Sequence, residues 1–211
     1  MIIIPTDIPH RDRYKLMIGA VLPRPIAWVS SMDAGGNLNV APFSFFTAVC
    51  SNPMTVIFCA GYSPEPDKDG KKDTLRNIEE TQEFVVNFTN EETAEAMNLT
   101  SIILPRGQSE FEFAGITPVP SEVVKVPRIA EAPIAYECKL QQIVTVSNQP
   151  GGGSAIFGEV QCVHIQDDIY DSDKRYIMLD KYKPIGRLGG MSYTRVTDIF
   201  EMQRPPTPER S

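Results

Sequence analysis

The chain lacks the long apolar runs of a membrane protein. No stretch approaches the roughly 20 consecutive apolar residues that a membrane-spanning helix needs. The apolar start at residues 2–4 is short and has neither the charged region nor the long apolar region of a secretory signal. The sequence therefore predicts a cytoplasmic protein with no membrane partner.

Excess positive charge is also absent. The chain has 20 Lys and Arg against 27 Asp and Glu, a formal net charge of −7. Binding along a nucleic-acid backbone needs a surplus of Lys and Arg. Nucleic acid is therefore excluded as the principal partner, although a local cationic pocket for one phosphate remains compatible with this charge.

Histidine and cysteine are scarce, and their spacing indicates no metal site. The two histidines, His10 and His164, lie far apart, and the four cysteines show no Cys-x-x-Cys spacing. The cysteines are expected to be reduced and mostly buried thiols. His164 falls within a strand pattern, which favours a hydrogen-bonded structural histidine over a catalytic one.

The motifs of several common enzyme classes are missing as well. The sequence contains no Gly-x-Gly-x-x-Gly turn, no phosphate-binding P-loop and no Gly-x-Ser-x-Gly elbow. These absences weigh against a dinucleotide-binding fold, a P-loop nucleotidase and a serine hydrolase.

The pattern that is present consists mainly of short strands. Apolar runs or alternating segments of strand length occur at residues 26–30, 54–60, 83–88, 136–140 and 155–165. The glycine tract at residues 151–153 predicts a hairpin connection between the last two.

Helical patterns are fewer. Residues 74–82 predict a helix with either Asp73 or Thr74 at its N-cap. A capping box from Thr89 to Glu92 predicts a second helix through Met97, and a third is predicted near residues 173–179.

Strands and helices do not alternate as they would in a doubly wound fold. The pattern therefore predicts a mainly β fold, a β-barrel or α+β arrangement with a few helices. We expect one domain over residues 1–200, followed by a proline-rich tail at residues 201–211 that is either loose or lies on a partner subunit.

A first candidate ligand site lies between residues 23 and 44. A turn through residues 33–37 would form a hairpin that brings the hydroxyls of Ser30, Ser31 and Ser44 together. Pro42 has no backbone N–H, so ladder pairing is expected to stop there and leave backbone groups facing a planar polar ring. A plain β-hairpin with a bulge explains the same residues equally well.

A second candidate site precedes the first predicted helix. Residues 68–75 carry the lysines Lys68, Lys71 and Lys72 and end at Thr74. A helix N-terminus with a lysine and a hydroxyl beside it forms a monophosphate site. The alternative is a solvated charged loop with Asp73 as a simple cap.

Taken in order, these segments resemble the flavin reductase-like FMN-binding split-barrel family, with the flavoredoxin-type branch as the nearest match. The resemblance rests on RPIAWVSS at residues 24–31, GNLNVAPFSFF at 36–46 and KKDTLRNIEETQEFVVN at 71–87. It continues through residues 126–133 and 188–193, and so covers nearly the whole chain. It implies an FMN-binding split barrel that forms a homodimer, with FMN near the subunit interface.

The resemblance also implies the residues of the cofactor site. Those beside the flavin would be Ser30, Ser31, Ala41, Pro42, Phe43 and Ser44, and those at the phosphate would be Lys72, Asp73 and Thr74. Arg24 would either approach the cofactor or brace the hairpin, and Tyr193 would either reach the site or contact the partner subunit.

The leading function implied by the resemblance is an FMN reductase that transfers a hydride from NADH or NADPH to FMN N5. The flavin carries out the chemistry, so no catalytic side chain is assigned. A flavoredoxin-like electron carrier with a redox protein partner is an alternative. A non-catalytic flavin-binding module is another.

Overall fold

The computed structural model describes residues 1–64, 69–105 and 108–207. Its strands, in chain order, are β1 (Ala27–Met32), β2 (Leu38–Phe43), β3 (Phe46–Ser51), β4 (Met54–Gly61), β5 (Glu83–Phe88), β6 (Pro118–Val119), β7 (Arg128–Ile129), β8 (Ile134–Ser147), β9 (Gly153–Ile165), β10 (Tyr170–Asp171), β11 (Tyr176–Ile177), β12 (Ile185–Arg187) and β13 (Tyr193–Arg195). The helices are α1 (His10–Ala20), α2 (Asp73–Thr81), α3 (Ala94–Leu99), α4 (Glu110–Ala114) and α5 (Leu179–Tyr182), with 3₁₀ turns at Pro5–Asp7 and Asp167–Ile169. The mainly β fold with a few helices is confirmed.

Seven strands form one antiparallel sheet that curls into a barrel. Their spatial order is β2-β1-β5-β8-β9-β4-β3, so β2 and β3 are the two edges. Only Ser44 and Phe45 separate these strands in the chain, and so short a link spans roughly 10 Å at most. The Phe45 carbonyl also accepts the Cys59 N–H at 2.8 Å. The opposite edges of the sheet therefore meet at this corner.

Aromatic side chains fill the barrel interior. The Phe43 and Phe58 ring centroids lie 4.9 Å apart, and those of Phe58 and Phe84 lie 5.5 Å apart. Leu75 and Ile78 of α2 belong to the same buried cluster. Because residues three apart share a helix face, this pair anchors α2 against the barrel and fixes the position of its N-terminus.

A second apolar layer covers the outside of β1 and β2. Trp28 and Val40 pack there with Met97 of α3 and Phe111 of α4. The Trp28 indole N–H donates to Thr100 Oγ1 at 2.9 Å. This bond holds the segment after α3 close to the hairpin.

Two of the three predicted helices are present, and their starts differ from the prediction. The N-cap of α2 is Lys72, one residue before the predicted candidates, and its side chain makes no capping bond. Before α3, Asn90 and Thr93 exchange bonds of 3.0 Å between each backbone N–H and the other side chain. Asn90 and Thr93 thus form the reciprocal pair that was predicted for Thr89 and Glu92.

The third predicted helix, at residues 173–179, is wrong. Residues 170–177 form the β10–β11 hairpin instead. The Asp171 carboxylate accepts the backbone N–H groups of Asp173 and Lys174, and Arg175 has a φ of 54°. A side-chain-stabilised turn and a left-handed residue are incompatible with a continuing helix.

Helix α1 was not predicted, because its apolar periodicity is weak and Ile18 is its one buried residue. Among the described residues, no helix combines the length and the apolar character that crossing a membrane requires.

The cysteines are free, but the expectation that most are buried is wrong. Cys138 is buried in the barrel, whereas Cys50 is exposed and the other two are half-buried. Burial raises the pKa of the Cys138 thiol. Cys50 lies in the edge strand β3, whose residues after Phe46 are all exposed.

Candidate functional site

The predicted hairpin is formed by β1 and β2. Ser30 lies opposite Val40, and Ser31 lies opposite Asn39. In the turn, the Asp33 carboxylate accepts the backbone and side-chain N–H groups of Asn37, both at 2.9 Å.

Pairing does not stop at Pro42, contrary to expectation. Pro42 lies opposite Trp28, and the ladder continues to Phe43. The Val40 N–H points away from β1 and donates to the Glu110 carboxylate at 3.1 Å. Residues two apart in a strand share this orientation, so the missing N–H of Pro42 lies on the open edge of β2, where it costs no pairing.

A polar cleft of about 200 Å³ lies between the edge of β2, the first turn of α2 and the segment after α3. Five of the predicted site residues line it: Ala41, Pro42, Lys72, Asp73 and Thr74. The two segments that the sequence suggested separately as ligand sites therefore meet at one place.

Thr74 presents a hydroxyl at the helix end of this polar cleft. Its Oγ1 accepts a hydrogen bond of 2.9 Å from the side-chain amide of Asn39, and the residue is only 1% exposed. Since the amide N–H is a donor only, this bond leaves the hydroxyl hydrogen of Thr74 to be donated elsewhere. The geometry suits an oxygen-rich ligand in the polar cleft.

The lysines before α2 have different positions. Lys71 Nζ lies 2.7 and 2.8 Å from the two carboxylate oxygens of Glu79 and so points along the helix. Lys72 is exposed, lines the polar cleft and has its Nζ 5.7 Å from the centroid of the Phe43 ring. Lys68 lies outside the described residues.

Ser30 and Ser31 of β1 are completely buried, and their hydroxyls hold the hairpin in place. Ser30 Oγ donates to the Pro127 carbonyl at 2.7 Å and accepts from Asn87 at 3.2 Å. Ser31 Oγ accepts from Asn77 of α2 at 3.1 Å. Neither serine lines the polar cleft, and the Phe43 ring lies in the barrel interior.

Arg24 and Ser44 line a second depression, an apolar groove of about 470 Å³ that also includes Phe45 and Phe46. The buried Arg24 guanidinium donates to three backbone carbonyls at 2.8 to 2.9 Å, those of Ile18, Val21 and Leu188, and to Ser44 Oγ at 3.3 Å. These bonds tie α1, the barrel corner and the C-terminal segment together. They favour the bracing role of Arg24 over contact with a cofactor.

Tyr193 packs against α3. Its hydroxyl donates to Asn98 Oδ1 at 3.1 Å, and the Arg187 guanidinium lies 4.5 Å from its ring centroid. Tyr193 does not line the polar cleft, and it lines a separate pocket with Glu91 and Ile185 instead.

Residues that the sequence reasoning did not single out also line the polar cleft. Asn39 lies within the GNLNVAPFSFF segment, and that segment was the available signal for it. Glu110 lies 70 residues after Val40 in the chain, and it also lines the cleft, where its carboxylate accepts the Val40 N–H. Nothing in the sequence near Glu110 indicated this contact.

His164 makes the structural hydrogen bond expected of it, and its partner is charged. Its Nε2 lies 2.5 Å from Oε1 of the fully buried Glu137. Burial by itself would raise the pKa of Glu137, but hydrogen bonds from three backbone N–H groups and from His164 outweigh it and lower that pKa. Glu137 is therefore a carboxylate at neutral pH.

Comparison with known proteins identifies similar chains. The family model described as the flavin reductase like domain matches residues 18–185. The Bacillus subtilis protein YwrF is 39% identical over 201 residues, covering 94% of this chain and 96% of YwrF.

Two solved structures are similar over nearly their full length. Nitrilotriacetate monooxygenase component B from Bacillus cereus has a TM-score of 0.90 at 35% identity, covering 96% of this chain and 98% of that one. The 2-nitrobenzoate 2-nitroreductase NbaA from Pseudomonas fluorescens has a TM-score of 0.85 at 36% identity, covering 97% and 96%. A structure from Shewanella frigidimarina described as a flavin reductase with a split barrel domain has a TM-score of 0.80 at 20% identity, covering 95% of this chain and 96% of that one, and this match confirms the split-barrel fold.

Proposed function

Since the chain belongs to the flavin reductase like family, we propose that it binds FMN in the polar cleft and reduces it with NADH or NADPH. Family membership makes it a flavin-related oxidoreductase. The choice of FMN, the nicotinamide donor and the transfer of a hydride to N5 are the proposed part.

The observation that carries this proposal is the meeting of two separate segments at the polar cleft. The N-terminus of α2 has a partial positive charge, and Lys72 adds a full one. Thr74 adds a hydroxyl donor whose orientation Asn39 fixes at 2.9 Å. Together with the first-turn N–H groups of α2, these donors suit a single terminal phosphate.

The size of the polar cleft suits part of FMN. Sites for ligands of this size usually have volumes of about 300–1,000 Å³, whereas this cleft has about 200 Å³. We therefore assign the phosphate and the adjoining chain to it. The flavin ring would lie beside residues 41–44, which run from the polar cleft to the apolar groove.

FMN, when bound, supplies the hydride chemistry. The protein's own groups bind and orient it. Lys72 and Thr74 would hold the phosphate, and the buried contacts of Ser30 and Ser31 keep the hairpin in place. Backbone N–H groups near Phe43 to Phe45 stay proposed donors to the ring.

We also propose that the protein is a cytoplasmic homodimer with residues 1–200 as its folded domain. Exposed apolar side chains support a covering partner: Leu16, Met17 and Val21 of α1 and its C-cap, and Val49 of β3. Light scattering of the purified protein would test this, with a monomer mass as the contrary result.

A second candidate function is defined by the final electron acceptor. The similarity to nitrilotriacetate monooxygenase component B and to a 2-nitrobenzoate nitroreductase supports two recipients. One is a redox protein partner supplied with reduced flavin, and the other is a nitroaromatic acid reduced directly. Turnover with 2-nitrobenzoate as the sole acceptor distinguishes them.

The proposed function is tested by anaerobic reduction of the reconstituted protein. Flavin-free protein is loaded with FMN, and NADH and then NADPH are added while the flavin absorbance is followed. Bleaching with either donor, and steady oxidation of that donor with excess FMN, is the expected result. Bound FMN that neither donor reduces would indicate a carrier or a non-catalytic module. Failure to take up FMN would contradict the proposal.

A further inference from the structure

Three potential metal ligands that lie apart in the sequence meet on the β8–β9 pair. Cys162 and His164 are two residues apart on β9, so their side chains share one face of the sheet. Glu137 of β8 lies directly opposite Cys162 in the register. None of the three lines the polar cleft.

The distances suit a small ion. The three ligand atoms all lie within 4.8 Å of one another. Cys162 Sγ lies 3.7 Å from His164 Nε2, and the corresponding edge of a tetrahedral zinc site is roughly 3.6 Å from its bond lengths. His164 Nε2 and Glu137 Oε1 are 2.5 Å apart. His164 would therefore have to move by roughly 1 Å to admit an ion, and its side chain is 21% exposed.

Glu137 is already held in place by the backbone. Consecutive N–H groups of residues 122–124 donate to its two oxygens at 2.8, 2.7 and 3.0 Å. An entering ion would replace only the bond to His164 and would leave these three intact. Outer hydrogen bonds of this kind orient the ligands of protein metal sites.

The donor set selects the class of metal. Thiolate, imidazole and carboxylate together are typical of Zn²⁺, and three protein ligands leave the fourth position for water. Cys162 and Glu137 contribute two negative charges, which balance those of the ion. The thiol proton of Cys162 passes to solvent, and neutral His164 carries its proton on Nδ1 so that the Nε2 lone pair is available to the ion.

From this geometry we propose that Glu137, Cys162 and His164 form a Zn²⁺ site distinct from the polar cleft. The ion ties β8, β9 and residues 122–124 together. The site stands independently of the proposed flavin chemistry, because it shares no residue with the polar cleft.

The test is a zinc titration of chelator-treated, full-length protein against a chromophoric chelator of known zinc affinity. We expect one equivalent to bind. Cys162→Ser keeps the Glu137–His164 bond and so preserves the fold, and it should weaken binding by about tenfold or more, since the loss of even an outer-shell partner costs about 10–100-fold. The matched control is Cys50→Ser, which removes an exposed thiol outside the cluster and should leave binding unchanged.

A cobalt spectrum gives a second readout. Co²⁺ added to wild type and to Cys50→Ser should produce a thiolate-to-metal charge-transfer band, and Cys162→Ser should not. Absence of zinc binding in wild type would overturn the proposal, as would equal zinc affinity in Cys162→Ser and wild type. Either result would identify the cluster as a hydrogen-bonded brace for residues 122–124.

Discussion

The two sides of the β1–β2 hairpin have different roles, although a single sequence motif covers both. On the hidden side, which consists of β1 and the neighbouring strand β5, Ser30 and Ser31 are fully buried and hydrogen-bonded to their surroundings. On the open side, which consists of the edge of β2 and the start of α2, Ala41 and Pro42 are partly exposed and line the polar cleft. In the proposed site, the same motif would therefore supply residues that support the hairpin as well as residues that would face the ligand.

The difference has an energetic consequence. A buried polar group that loses its partner costs about 1–3 kcal/mol of folding stability. An exposed residue on the cleft wall carries little such cost. Variants on the hidden side should therefore change the free energy of unfolding first, whereas variants on the open side should change ligand affinity first.

The largest expected effect is that of Asn87→Ala on the hidden side. Asn87 donates to the Trp28 carbonyl at 3.0 Å and accepts the Ile129 N–H at 2.9 Å. Removing it leaves buried groups unpaired, and we expect the free energy of unfolding to fall by about 2–4 kcal/mol. Urea denaturation measures this, with the exposed Asn148→Ala as the matched control. Equal stability of the two variants would contradict the account of the hidden side.

The next effect is that of Lys72→Ala on the open side. A charge-assisted bond to phosphate contributes about 1.5–3 kcal/mol, so FMN affinity should fall by about 10- to 100-fold with unfolding unchanged. Fluorescence titration measures the affinity. Lys71→Ala is the control, because Lys71 is the neighbouring lysine, does not line the polar cleft and points along α2 towards Glu79. A larger loss of affinity in that control would place the phosphate elsewhere.

Ser30→Ala should have a smaller effect, and on stability alone. It removes the bond to the Pro127 carbonyl, and we expect about 1–2 kcal/mol of lost stability. FMN affinity of the folded variant should equal that of wild type. If the variant loses FMN without losing stability, Ser30 contacts the flavin directly and the two-sided description is wrong.

The smallest expected effect is that of Asn39→Ala, which lies between the two sides. Asn39 donates to Thr74 at 2.9 Å and to Ser31 at 3.3 Å. Without the Asn39 amide, the Thr74 hydroxyl is less well oriented. The binding free energy of FMN should fall by about 1 kcal/mol, the value of one neutral hydrogen bond, so that FMN affinity falls severalfold. Riboflavin, which has no phosphate, should bind the variant and wild type equally. An equal loss for both ligands would mean that Asn39 contacts the shared part of the flavin.

The strands and the hairpin could be predicted because local pattern determines them. Residues 83–88 form an apolar run that is also one complete strand, and residues 33–37 have the residue types of a tight turn. The β10–β11 hairpin at residues 170–177, where a helix was predicted, could not be predicted, because it depends on a turn that the Asp171 side chain stabilises.

The site was only partly predictable, because several of its contacts join residues that lie far apart in the sequence. The approach of Lys72 to Pro42 was implied by the resemblance. The contact between Glu110 and Val40 depends on how α4 packs on β2. The meeting of Glu137 with His164 depends on strand register, which the sequence did not specify.

The most direct test of the central claim compares FMN and riboflavin on flavin-free wild-type protein under identical conditions. These ligands differ only in the phosphate that we assign to Lys72, Thr74 and the N-terminus of α2. We expect FMN to bind at least about tenfold more tightly than riboflavin, since one charge-assisted bond contributes about 1.5–3 kcal/mol. Equal affinity for the two ligands would contradict it.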